Sequence, residues 1–118
     1  MINQLTLIGR LGADPEIKHV ADGLPVAKLS VATSDSYKDK SGQWQETTEW
    51  HTVVCWRELA DRVGKYKKGQ LVCVIGKVTY RKYEKDGQTR YVTEVIANTV
   101  RLCEKSDKSD APAQTQSQ

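Results

Sequence analysis

All eight aromatic side chains of this 118-residue chain are Trp or Tyr, and several stand among cations rather than aliphatics. Tyr37 and Trp44 flank the polar run SYKDKSGQW, and Tyr80 and Tyr83 enclose Arg81-Lys82. A flat ring offers a face on which an unpaired base can stack, worth roughly 1–3 kcal/mol per base. A cation beside it can meet a phosphate. Such a surface reads no base edge, so it would take single-stranded nucleic acid with little sequence preference, and it leaves DNA versus RNA open. The same rings have an ordinary structural reading, because Trp and Tyr are common in strands and often cover cross-strand neighbours. Packing is the expectation for Tyr66 and Tyr91, while Trp44 divides between a ligand contact and a subunit contact.

The stretch TTEWHTVVCW, residues 47–56, makes the choice sharpest. Side chains on a strand alternate with period two, so Trp50, Thr52, Val54 and Trp56 share one face and His51, Val53 and Cys55 the other. Val53 and Cys55 offer an apolar face of their own, so the Trp face need not be the core. At about 3.3 Å per residue the two rings would stand roughly 20 Å apart, too far for one base but suited to a path.

Chemistry of other kinds is poorly supplied. Glu46, Glu49, Asp61 and Glu94 are scattered, no Ser or His sits in a nucleophile elbow, and GKVTYRK lacks the glycines of a phosphate-binding loop. The expectation is a non-enzyme with no catalytic residues and no cofactor. His19 and His51 have no Cys or His at ligand spacing, so no metal is expected. Cys55, Cys73 and Cys103 lie far apart in apolar surroundings and read as small reduced hydrophobes. Net charge is +3, and residues 1–103 carry +4. Between Arg57 and Arg90, ten Lys and Arg stand against Glu58, Asp61, Glu84 and Asp86. A basic band of this kind suits a phosphate backbone.

The elements that would position these residues follow from periodicity. Strands are expected at residues 3–11 and 25–34, over the opening stretch 47–56, and in QLVCVIGKVTY and TRYVTEVIANTVRLC. ADPEIKHVADG reads as a polar connection. Ser41-Gly42 and Asp86-Gly87 mark the tips of two hairpins. RELADRVGKYKKG changes period, with Leu59, Val63 and Tyr66 on one side of a short helix that ends in cations and a glycine. Three strands, a helix and two strands is the order of an OB-fold, although strand count alone fits other small barrels. The expected fold is therefore all-β with one short helix, a five-stranded OB-fold Greek-key barrel with extended hairpin arms. It would occupy residues 1–103, leaving 104–118 as a disordered polar tail. No apolar run approaches the roughly 18 residues of a membrane span, and MINQLTLIGR lacks the parts of a signal peptide. A cytoplasmic location is expected, with no membrane partner.

In LIGRLGADPE, TEWHTVV and the basic hairpin KYEKDGQTRY, taken in this order, the chain resembles the bacterial and mitochondrial type single-stranded-DNA-binding proteins. The resemblance covers about residues 1–103. It implies an OB barrel, assembled as a homotetramer around which single-stranded DNA wraps during replication, recombination and repair. In a bacterium the protein would be nucleoid-associated. The family's stacking aromatics fall on Tyr37, Trp50, Trp56 and Tyr83, where family members usually have Trp at the first position, often Phe at the third and Trp at the fourth. Lys38, Lys40, Lys68, Arg81, Lys82 and Arg90 match basic positions along the DNA path. His51 matches a histidine at a subunit interface; a hydrogen bond within one subunit is its other reading. Many bacterial members carry a terminal acidic, Phe-ended peptide that recruits replication and repair proteins. PAQTQSQ has no acidic cluster and no Phe, so either the sequence stops short of such a peptide or this member lacks it, as mitochondrial forms do; replication and repair proteins stay open as partners. A protein-interaction adaptor on the same fold is the alternative.

Overall fold

The structure is a computed structural model that describes residues 1–103. Its strands are β1 (Leu5–Leu11), β2 (Glu16–His19), β3 (Pro25–Lys38), β4 (Trp44–Trp56), β5 (Leu71–Lys85) and β6 (Gln88–Leu102), and one helix, α1 (Glu58–Val63), lies between β4 and β5. They run β1-β5-β6-β4-β3-β2 in one sheet, which β1 closes by also pairing with β3 at Arg10↔Ala32 and Leu11↔Val31. Five strands thus form a closed barrel, and β2 is an extra strand on the free edge of β3. All ladders are antiparallel except the short β4–β6 contact at Val53↔Val95 and Val54↔Ile96. This is the OB-fold, as the order of elements predicts.

The sixth strand departs from that expectation. Glu16–His19 reads as connection because its four residues are all exposed, so no buried face imposes a period. Its partner supplies the order instead, through the register Glu16↔Lys28 to His19↔Pro25.

Burial follows the alternation. Ala27, Leu29 and Val31 of β3 and Val53 and Cys55 of β4 are buried, with Leu7, Val72, Val74, Val95 and Val100 from the other strands. Ala60 and Val63 of α1 close the core. The helix is shorter than its sequence pattern suggests: Lys65 and Tyr66 donate to Arg62 and Val63, tightening the last turn to i→i−3 bonds. Tyr66 packs against the core from beyond the helix, as expected. The cysteines are all free, but only Cys55 is core; Cys73 is half-buried and Cys103 exposed. Burial pushes the Cys55 thiol up to about 12.

Two arms leave the barrel. The β3–β4 ladder runs unbroken from Val26↔Trp56 to Lys38↔Trp44, and its outer half is exposed. The β5–β6 ladder continues past a bulge at Ile75/Gly76 to Lys85↔Gln88. Its tip, Asp86-Gly87, has φ of 55 and 76, the positive values a type I′ turn requires.

Candidate nucleic-acid interface

Register decides which side chains share a surface. Opposite residues in an antiparallel pair point the same way, so Val26, Ser30 and Ala32 of β3 stand on the outer face with Trp56, Thr52 and Trp50 of β4. The opposite face, bearing Val53 and Cys55, fills the barrel. Trp50 is 62% exposed and Trp56 42%. Neither is core.

Trp50 is nevertheless seated. A Cβ on Gly12 would lie 2.4 Å from its Cζ3 and 2.9 Å from its Cη2, so the ring packs against Gly12 and a side chain there would push it aside. The Gly12 amide donates to the Ser30 carbonyl at 2.8 Å, which fixes that loop against β3. Sequence reading missed this role, and its only trace is a glycine two residues before Asp14-Pro15.

The β5–β6 arm brings a second group to the same side. Arg81, Tyr83, Val92 and Glu94 line a hollow of about 410 Å³ together with Lys28 and Thr52 from the β3–β4 face. Glu94 is the one buried charged residue among those described. Its Oε1 and Oε2 accept from Arg81 Nε at 3.1 Å and Nη2 at 3.2 Å. Hydrogen bonding to Glu94 first, then its charge, raises the Arg81 pKa. A guanidinium held this way keeps its planar fork oriented, but its charge is already matched. Glu94, read from sequence as a stray acid, is therefore the anchor of the arm.

The other expected residues are more dispersed. Arg90 lies opposite Tyr83, while Lys82 alternates to the far side of the arm opposite Tyr91. There Tyr80 and Tyr91 are 74% and 77% exposed, which overturns the packing expectation for Tyr91. Cross-strand packing on a free arm leaves that side open to solvent. Tyr37 is on the β3 face opposite to Trp50 and half exposed, whereas Lys38 stands over the Trp44 ring at 5.7 Å from its centroid. Lys40 is in the arm tip, and Lys68 is exposed beside β1, its amide donating to Asp14 Oδ1 at 2.8 Å. His51 is half-buried, with Nε2 2.8 Å from Thr33 Oγ1. That bond lies within one subunit.

Arg57, absent from the expected set, follows Trp56 directly with φ 60 and ψ −127. This backbone region costs a non-glycine residue on the order of 1–3 kcal/mol. Among the described residues no three His, Cys, Asp or Glu gather closely enough to hold a metal, and no helix is long and apolar enough to cross a membrane.

A closed barrel of this order with rings on its open outer face defines an OB-fold protein of the kind that holds oligonucleotides or oligosaccharides. The chain belongs to the single-strand binding protein family, whose profile matches residues 2–103. It is 44% identical over 103 residues to the single-stranded DNA-binding protein of Neisseria meningitidis serogroup A, covering 86% of this chain and 59% of that protein. Single-stranded DNA-binding protein 1 of Xylella fastidiosa is 42% identical over 112 residues, covering 92% of this chain and 82% of the relative. The chain thus spans a little under three fifths of the Neisseria relative. Among solved structures it is similar to a Plasmodium falciparum SSB complex with ssDNA, with a TM-score of 0.77 at 34% identity, covering 86% of this chain and 93% of that one. A deletion mutant of the single-stranded DNA binding protein from Thermus aquaticus also gives a TM-score of 0.77, at 36% identity, covering 87% of this chain and 51% of that one. Residues 104–118, expected to form a polar tail, lie outside the described residues.

Proposed function

We propose that the protein binds single-stranded DNA with little sequence preference and protects it during replication, recombination and repair. The observation that carries this reading is the outer face of β4, where Trp50 and Trp56 stay exposed while Val53 and Cys55 fill the barrel. Bases stack on Trp50, Trp56 and Tyr83, and on Tyr37 where the strand follows the β3–β4 arm. Lys38, Lys40, Lys68 and Arg90 neutralise phosphates, with Arg81 oriented by Glu94 and Lys82 reaching the DNA backbone only from the far side of the arm. Stacking supplies sequence-tolerant affinity and the cations supply its salt dependence. No catalysis is assigned to the chain.

The family match and the relative solved with ssDNA support this reading. Assembly as a homotetramer, with His51 near a subunit interface, belongs to the same proposal, as does a cytoplasmic, nucleoid-associated location. Docking of replication and repair proteins is not assigned to the described residues.

The test is a titration of intrinsic Trp fluorescence with oligo-dT at two salt concentrations. Quenching that saturates, weakens with salt and is far stronger for single strands than for duplex is expected. Absence of quenching together with equal affinity for duplex would overturn the reading.

A further inference from the structure

We propose that Arg57 contacts a DNA phosphate next to Trp56, extending the binding face beyond β4, and that the fold carries backbone strain to keep it there. The inference rests on the proposed stacking role of Trp56. Its own support is a conflict between conformation and residue type.

The Arg57 dihedrals, φ 60 and ψ −127, are those of the first central residue of a type II′ turn, a position that normally takes glycine. Both sides of the residue are tied down. Its amide donates to the Pro25 carbonyl at 2.9 Å, and its own carbonyl accepts from the Asp61 amide at 3.2 Å. The chain cannot rotate out of the strained region without losing these bonds. Glycine would take the same conformation without a Cβ conflict, so the strain comes from carrying a side chain here.

Nothing within the described fold uses that side chain. Arg57 is exposed, and among the described residues its guanidinium has no hydrogen bond or ion pair. Strain retained at a residue whose side chain does no structural work points outward, to a ligand. The neighbouring chemistry says which ligand. Trp56 and Arg57 line one hollow of about 550 Å³ with Leu24 and Pro25. Glu58 and Asp61 also line it, which leaves Arg57 as the one cation among the described residues of the hollow. Backbone beside a base stacked on Trp56 would meet positive charge at Arg57.

Arg57→Gly separates this role from a structural one, because the two move stability and binding in opposite directions. Relief of strain outweighs the extra unfolded-state freedom of glycine and is expected to raise Tm by a few degrees, about 2–8 °C. Loss of one phosphate contact is expected to flatten the salt dependence of oligo-dT affinity by about 0.7 in log–log slope. Between about 50 and about 200 mM salt, the parent-to-variant affinity ratio would then shrink by about 2.6-fold. Arg57→Lys should keep both the parent slope and the strain. A higher Tm with an unchanged slope would take Arg57 off the DNA path and overturn the proposal. A lower Tm would overturn the strain argument and the proposal with it. If the parent protein itself fails to quench with oligo-dT, the stacking reading falls first; if it binds and only the variant comparison is flat, Arg57 alone falls.

Discussion

The β3–β4 face and the β5–β6 arm both carry rings and cations, yet they are built differently. On β4 the rings belong to the barrel. The strand beneath them is core on its other side, Trp50 rests on Gly12, and Trp56 adjoins a hollow walled by Pro25. Beyond the barrel, the β5–β6 arm has no core beneath it, so rings stand on both of its faces: Tyr83 on one, Tyr80 and Tyr91 on the other. On the Tyr83 face of the arm, the charged anchor among the described residues is the Arg81–Glu94 ion pair. A binding surface can thus be positioned by a packed reverse side or by a single polar anchor. The first gives rings backed by a core, and the second gives an oriented cation whose charge is largely matched.

The largest effect expected from this contrast is on the rigid side. Trp50→Ala removes one stacking platform and should weaken oligo-dT binding by roughly 5- to 150-fold, the equivalent of about 1–3 kcal/mol. Because the ring is mostly exposed, Tm should change little. Tyr91→Ala, on the far side of the arm, should cost less than about threefold in the same titration, well inside the lower bound for a lost stack. Equal losses for the two variants would break the distinction between the faces.

The arm's anchor comes next. Glu94→Gln leaves Arg81 with a weaker, uncharged partner for its fork, and a buried polar group loses its matched ion. A fall in Tm of roughly 4–8 °C is expected, kept modest because Arg81 is half exposed and solvent screens it. At the same time, salt dependence should steepen, since a net positive charge is released beside the hollow. A lower Tm accompanied by a flatter slope would mean instead that Glu94 holds Arg81 where a phosphate meets it. That outcome would make the arm resemble the β4 face.

Much of this was legible in the alternation of TTEWHTVVCW, because a strand with a core behind it imposes period two on its own residues. Val53 and Cys55 as barrel filling came through for that reason, and the two hairpin tips came through from their turn pairs, Ser41-Gly42 and Asp86-Gly87. Long-range pairing was not legible. Glu94 becomes an anchor only because β5 and β6 put it diagonally across from Arg81, and Gly12 matters only because a ring 38 positions later folds over it. β2 carries no burial to write a pattern, and Tyr91 looked like packing because sequence does not tell an arm from a barrel wall. The strain at Arg57 is invisible in the letters, since an arginine before a helix looks ordinary.

The smallest effect concerns the tips of the two arms. Both tips use positive backbone dihedrals, at Asp86-Gly87 and at Gly42, but the β3–β4 tip is organised by a carboxylate as well. Asp39 Oδ1 accepts from the Ser41 hydroxyl at 2.7 Å and from the Ser41 and Gln43 amides at 2.9 Å each, and Oδ2 accepts from Gln45 Nε2 at 3.0 Å. The Ser41 hydroxyl bond first, then the bonds from Gln43 and Gln45, hold the Asp39 pKa below its ordinary 3.8. A carboxyl depressed in the folded state contributes order that is fully present above its ordinary value and is lost as pH falls through the lowered one. The tip should therefore keep its form at neutral pH and loosen only below about pH 3.8. Amide NMR shifts of Ser41 and Gln43 followed from pH 6 to pH 2 are the check, against roughly unchanged barrel signals over the upper part of that range. A midpoint above 3.8 at those two amides would show that the carboxylate does not hold the tip, and the two arms would then differ at their bases alone.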